Sequence, residues 1–183
     1  MRRVLPLLIL CAAAHAAEVV LPTAPPPMHL DTESVTNATL PAAVATARLL
    51  RCAVELTATP SNNVEVAFGS DADGDGVLTE GEAAMRLGWD CGAWFLEGGT
   101  NRFEAMVADP PSPARFELSL RVDERGTPVA WSCGAFTNLP AQPPAWLFSR
   151  EWDAVRLAVR GFGPRDESVS VRLDADASVM ILR

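Results

Sequence analysis

Short segments in which apolar and polar residues alternate recur along this chain, and they limit its fold more than any other feature. The clearest lies between residues 116 and 122, where Phe116, Leu118, Leu120 and Val122 are separated by single polar residues. A period of two residues turns one face of a β-strand towards a core and the other towards solvent. Comparable segments, separated by turns rich in Pro, Gly, Asn and Asp, cover residues 47–58, 64–68, 87–98, 103–108, 129–133, 155–160, 169–173 and 178–182. Eight or nine strands at this spacing predict an all-β fold, a β-sandwich of the jelly-roll kind.

The first 16 residues have the organisation of a secretory signal peptide. Two arginines open the chain, residues 4–14 form an apolar run too short to span a bilayer, and Ala14-His15-Ala16 fits a small-residue cleavage site. Cleavage after Ala16 is therefore expected. The sequence predicts a secreted or periplasmic protein without a membrane span after cleavage.

Residues 17–30 are rich in proline, including Pro25, Pro26 and Pro27, and are interpreted as an extended leader. The remaining residues, 31–183, are long enough to bury a core of their own. We therefore expect a single β-sandwich domain after the leader.

Charge and residue types narrow the classes of function. The chain has 15 basic and 23 acidic residues, and all 15 basic residues are arginine, a usage typical of GC-rich bacterial genomes. Removal of residues 1–16 leaves 13 basic against 23 acidic residues, a net charge of −10. This balance argues against a nucleic-acid-binding surface, which needs clustered positive charge. Only His29 remains as a histidine and there is no Lys or Tyr, so we do not expect an enzyme.

Residues 71–82 read D-A-D-G-D-G-V-L-T-E-G-E and fit the calcium-loop pattern D-x-[DN]-x-[DN]-G-x5-E at every defined position. Ca2+ prefers six to eight oxygen ligands, and this spacing supplies them from one short loop. The predicted ligands are the carboxylates of Asp71, Asp73 and Asp75, the backbone carbonyl of Val77, Thr79 directly or through water, and both carboxylate oxygens of Glu82. Gly76 lies where the loop must turn sharply. The alternative is an ordinary acidic turn, but a turn does not need the five carboxylates that this loop contains.

The loop resembles the calcium loop of the EF-hand family, and the resemblance covers these twelve residues only. In that family a helix enters the loop and another leaves it. Here Val64, Val66 and Phe68 alternate before the loop, and Leu87 and Trp89 alternate after it, which favours strands. The resemblance implies Ca2+ as a cofactor with a structural role, because the opening of a sensor needs two helices that move.

Three cysteines, Cys52, Cys91 and Cys133, follow the predicted cleavage site. Cys91 and Cys133 share a W-x-C-G-A-aromatic pattern, and a disulfide between them is one interpretation for an exported protein. The alternative is three buried free thiols that act as small hydrophobic residues.

Trp146 and Trp152 flank a Pro-rich loop, where an exposed indole would stack on a sugar ring. The alternative is that both pack over the end of the sandwich, since tryptophan buries a large apolar area. The favoured function is an exported calcium-binding module that acts by binding or as a structural part. A carbohydrate-binding module, a small secreted glycan hydrolase with a carboxylate pair and a subunit of a surface assembly stay open. The sequence identifies no partner, and a glycan and a cell-surface component both stay open.

Overall fold

The computed structural model describes residues 17–21, 33–56, 63–107, 114–160 and 169–176. Within these residues eleven β-strands form two antiparallel sheets, and a four-residue helix, α1 (Ala42–Ala45), precedes the third strand. The prediction of an all-β sandwich is confirmed. None of the helices in this part of the chain is long and apolar enough to cross a membrane.

One sheet has five strands and the other has six. In spatial order the five-stranded sheet consists of β1 (Ala17–Leu21), β11 (Val169–Asp176), β3 (Leu49–Leu56), β8 (Ala114–Val122) and β9 (Pro128–Cys133). The six-stranded sheet consists of β2 (Glu33–Thr39), β10 (Ala154–Arg160), β4 (Asn63–Gly69), β5 (Ala83–Asp90), β6 (Ala93–Gly98) and β7 (Asn101–Met106). The chain crosses between the sheets several times, as in sandwiches of the jelly-roll kind.

The alternating segments place their apolar residues between the sheets. The six-stranded sheet buries Val64, Val66, Phe68, Leu87, Trp89, Leu96 and Leu157, and the five-stranded sheet buries Cys52, Val54, Phe116, Leu118 and Leu120. Trp94 on β6 contacts Phe116 on β8 with 5.2 Å between the ring centroids, which joins the two sheets across the core.

The described residues form eleven strands rather than the predicted eight or nine, and the difference has identifiable reasons. Strand β1 lies within the predicted leader, where it pairs with β11, and β2 pairs with β10. The segment 87–98 forms two strands, because Cys91 and Gly92 both have positive φ, 44° and 100°, and make a tight turn. The strand predicted over 178–182 lies outside the described residues.

Candidate metal centre

The 71–82 loop connects β4 to β5, two adjacent antiparallel strands, so the loop caps a hairpin. Gly69 pairs with Ala83 at its base. A Cβ atom at Gly69 would overlap the backbone oxygen of Glu82, so the entry and exit of the loop approach as closely as glycine allows. The prediction that strands rather than helices flank the loop agrees with this arrangement.

Three of the predicted ligands converge. Oxygen atoms from the carboxylates of Asp71, Asp73 and Glu82 all lie within 4.8 Å of one another. Two oxygens on opposite sides of a Ca2+ at 2.3–2.6 Å are separated by about 5 Å, so these three carboxylates fit around one such ion. They occupy positions 1, 3 and 12 of the twelve-residue loop.

Backbone amides of the loop hold the aspartates in place. Asp71 accepts hydrogen bonds from the N–H groups of Gly74 at 2.9 Å and Gly76 at 2.8 Å, one on each carboxylate oxygen. Asp73 accepts one from Asp75 at 3.2 Å. Gly76 has a φ of 83°, a conformation that is strained for any residue with a Cβ atom, which explains glycine at this turn.

The last turn of the loop fixes Glu82. Both the N–H and the hydroxyl of Thr79 donate to Glu82 Oε2, at 2.9 Å and 2.6 Å, and the N–H of Ala72 donates to Oε1 at 2.9 Å. The spacing T-x-x-E is that of a helix capping box, here on a single turn closed by the N–H of Ala83 on the Thr79 carbonyl. The hydroxyl of Thr79, with its N–H and that of Ala72, lowers the pKa of Glu82, so this carboxylate stays ionised and available to a cation.

Asp73 has the opposite shift. The N–H of Asp75 lowers its pKa, but partial desolvation and the nearby carboxylates of Asp75, Asp71 and Glu82 together raise it above the ordinary value. Repulsion of this kind is what a bound cation relieves.

Of the remaining predicted ligands, Asp75 lies outside the converging group and its Oδ1 accepts a hydrogen bond from the N–H of Val77 at 2.7 Å. The side chain of Val77 is 43% exposed, consistent with a role for its backbone alone. The hydroxyl of Thr79 donates to Glu82, a member of the converging group, so Thr79 holds one of the three carboxylates in place.

The loop is anchored to the sandwich by residues from distant parts of the chain. Leu78 is buried with Ala67 and Ala154. Its N–H donates to Asn37 Oδ1 at 3.1 Å, and the N–H of Asp71 donates to Asp153 Oδ1 at 2.9 Å. Asn37 and Asp153 were missed at the level of sequence, because they lie far from the loop in the chain and only strand pairing brings them close.

The proposed sugar-stacking tryptophans are not free platforms. Trp152 is only 7% exposed and packs on Phe68 and Phe148, with ring centroids 5.9 Å and 5.8 Å away, so its assignment as a stacking residue is wrong. Trp146 is half-buried, and its ring lies so close to Gly98 that a Cβ atom there would overlap it. Packing over the end of the sandwich, the alternative, describes both residues.

The disulfide between Cys91 and Cys133 is not formed, and both thiols are free. Cys91 is exposed in the β5–β6 turn of one sheet, whereas Cys133 is buried at the end of β9 in the other. Cys133 and Cys52 both pair with Leu118, one from each side. They are therefore two strand spacings apart, about 9–10 Å, beyond the reach of a disulfide.

No protein-family model and no curated protein matches the sequence. Solved structures to which the chain is similar include sheep galectin-11 in complex with glycerol, at 11% identity and a TM-score of 0.34, covering 77% of this chain and 99% of that one. They also include the CBM2 module of the evolved Dit of Lactobacillus casei BL23 phage J-1, at 11% identity and a TM-score of 0.38, covering 86% of this chain and 77% of that one. These likenesses are too slight to indicate a function.

Proposed function

We propose that this protein is an exported β-sandwich module that holds one Ca2+ in the 71–82 loop and acts by binding rather than by catalysis. The observation that carries the proposal is the convergence of the Asp71, Asp73 and Glu82 carboxylates in a loop whose spacing supplies further oxygen ligands. The ion neutralises these carboxylates and fixes the connection between β4 and β5.

The role of the ion in this proposal is structural. The loop is closed by the Gly69–Ala83 strand pair, and Leu78 is buried beneath it. Strands fixed in a sheet do not move apart as the helices of a calcium sensor do. Extracellular modules hold Ca2+ with dissociation constants of roughly 10⁻⁴ to 10⁻³ M, and we expect an affinity in that range.

Titration calorimetry of the mature protein in chelator-treated buffer tests the proposal. We expect one Ca2+ per chain, and much weaker binding by Asp73→Asn, which keeps an oxygen for the Asp75 amide but removes a negative charge. Glu80→Gln is the matched control, because Glu80 lies in the same loop outside the converging group. Absence of binding at millimolar Ca2+, or equal binding by the two variants, would contradict the proposal.

The exported state and the non-enzymatic role have tests of their own. Sequencing of the amino terminus of protein recovered from outside the cytoplasm should begin at Ala17. Oligosaccharides incubated with the protein should be recovered intact. An amino terminus at Met1, or cleaved oligosaccharide, would overturn the respective part of the proposal.

A further inference from the structure

The outer face of the six-stranded sheet carries a polar groove. A depression of about 240 Å³ lies over β4, β5, β6 and β10. A second depression, of about 340 Å³, continues it towards the β6–β7 turn, and both are lined by Arg86, Glu97 and Arg102. We refer to the two together as the outer groove.

Arg86, Glu97 and Arg102 form one row across three strands. Register places Arg86 opposite Glu97 and Glu97 opposite Arg102. The Glu97 carboxylate meets Arg86 at 3.5 Å with one oxygen and Arg102 at 3.0 Å with the other. Arg102 also contacts Glu104 at 2.6 Å and lies over the Phe95 ring, 4.8 Å from its centroid. Donors and acceptors are therefore held in fixed alternation along the groove.

The neighbouring row forms the floor. Glu65 pairs with Ala158 on one side and Gly88 on the other, so small residues flank its side chain. Its Oε1 atom is buried and accepts no hydrogen bond from the described residues, and Arg156 lies 3.8 Å away. Burial raises the pKa of Glu65 despite the nearby Arg86 and Arg156. The floor thus carries one buried carboxylate oxygen that has no hydrogen-bond partner among the described residues.

The composition of the groove favours a neutral ligand. Three arginines and four acidic residues line the first depression: Arg86, Arg102, Arg160, Glu65, Glu80, Asp90 and Glu97. Charges of both signs interleave, so neither a polyanion nor a polycation is strongly favoured. Sugar hydroxyls donate and accept at once, and so can satisfy guanidinium and carboxylate groups side by side. Addition of a peptide as a further strand would need a free sheet edge, which a sheet face does not offer.

We propose that the outer groove binds a neutral oligosaccharide, with Glu97 and Arg102 as its central contacts. This rests on the proposed function, since it names the ligand class of the binding module. The calcium loop contributes directly: Glu80 lines the groove, and the side chain of Arg86 donates to the Glu80 carbonyl at 2.7 Å. Ordering of the loop by Ca2+ therefore positions Arg86, and calcium should strengthen sugar binding.

The test begins with the mature protein, in saturating Ca2+, on a printed array of neutral and anionic glycans. The best neutral oligosaccharide is then titrated calorimetrically against the parent and against Glu97→Gln and Arg102→Gln. Loss of a hydrogen bond to a charged group weakens binding by about tenfold or more, and we expect at least that loss in each variant. The matched controls are Glu117→Gln and Arg115→Gln, an exposed ion pair at 3.1 Å on the five-stranded sheet, which should bind as the parent does. Thermal unfolding of every variant establishes that it is folded.

Three results would overturn the inference: no neutral glycan bound, only anionic glycans bound, or undiminished binding by the two groove variants. Thermal unfolding with Ca2+ and with EGTA on the same samples separates this failure from that of the proposed function. If Ca2+ raises the thermal unfolding midpoint but no sugar binds, the groove assignment is wrong and the proposed calcium site stands. Sugar binding that is equal in EGTA and Ca2+ removes the coupling between loop and groove.

Discussion

The backbone N–H of Leu78 donates a 3.1 Å hydrogen bond to Oδ1 of Asn37, a residue on strand β2 at the edge of the six-stranded sheet. Asn37 pairs in turn with Arg156 on β10. The middle of the candidate calcium loop is therefore tied to a strand 41 residues earlier in the chain. This bond, with the burial of Leu78, holds the loop in a fixed position on the sheet.

Replacement of Asn37 by alanine should loosen the loop. The N–H of Leu78 would lose its partner, and a hydrogen bond of this kind contributes about 1 kcal/mol to stability. We expect Asn37→Ala to lower the free energy of unfolding by about that amount and to weaken Ca2+ binding, as measured by urea unfolding and calorimetry. Thr39→Ala, an exposed change on the same strand, should alter neither quantity. Equal behaviour of the two variants would show that the bond does not hold the loop.

Leu78 is the apolar anchor of the loop and is 1% exposed. Leu78→Ala leaves a cavity against Ala67 and Ala154, and such a change lowers the free energy of unfolding by about 2–5 kcal/mol. Urea unfolding in saturating Ca2+ measures this loss. Val77→Ala is the control, because its side chain is 43% exposed, and it should remain close to the parent. A small effect of Leu78→Ala would mean that the loop is not packed as described.

The period of two residues was sufficient to predict the sandwich, because alternation at Phe116, Leu118 and Leu120 reports directly which side of a strand is buried. The convergence of Asp71, Asp73 and Glu82 was predictable as well, because all three belong to one short loop. Cys91 was misplaced because nothing in its residue type indicates the positive φ of a turn. The outer groove depends on register between β4, β5, β6 and β10, which alternation within one strand does not specify.

The burial of Glu65 leads us to expect that the free energy of unfolding depends on pH. Burial raises its pKa in the folded state, and Glu80 and Glu97 add to this while Arg86 and Arg156 oppose it. A carboxyl group with a raised folded pKa favours the folded state below its unfolded pKa, and that contribution is lost as pH rises through the folded pKa. Glutamine stays neutral, so Glu65→Gln should be more stable than the parent at neutral pH.

The difference between Glu65→Gln and the parent should shrink as pH falls to about 4, near the ordinary pKa of glutamate. Urea midpoints at both pH values measure it. Glu104→Gln, at an exposed position, serves as the control. A Glu65→Gln variant less stable than the parent at neutral pH would contradict the assignment of burial as the dominant influence.

The three cysteines should differ in reactivity. Burial raises the pKa of Cys52 and of Cys133 to about 12, and partial desolvation with the nearby Asp90 raises that of Cys91. Alkylation requires the thiolate, so iodoacetamide should label exposed Cys91 more slowly than a cysteine of ordinary pKa, and should label buried Cys52 and Cys133 only after unfolding. Mass spectrometry of the mature protein follows the labelling. An intact mass two hydrogens below that of the fully reduced chain would reveal a disulfide and contradict this assignment.

The most direct test of a calcium-stabilised loop is thermal unfolding of the mature protein in EGTA and in millimolar Ca2+, together with Asp71→Ala and Glu80→Gln. An ion that binds only the folded state stabilises it by RT ln(1 + [Ca2+]/Kd), which is about 0.4–1.4 kcal/mol at 1 mM Ca2+ for the expected dissociation constants of 10⁻³ to 10⁻⁴ M. We expect Ca2+ to raise the unfolding midpoint of the parent and of Glu80→Gln but not that of Asp71→Ala. Equal midpoints in EGTA and Ca2+ for the parent would contradict a calcium-stabilised loop.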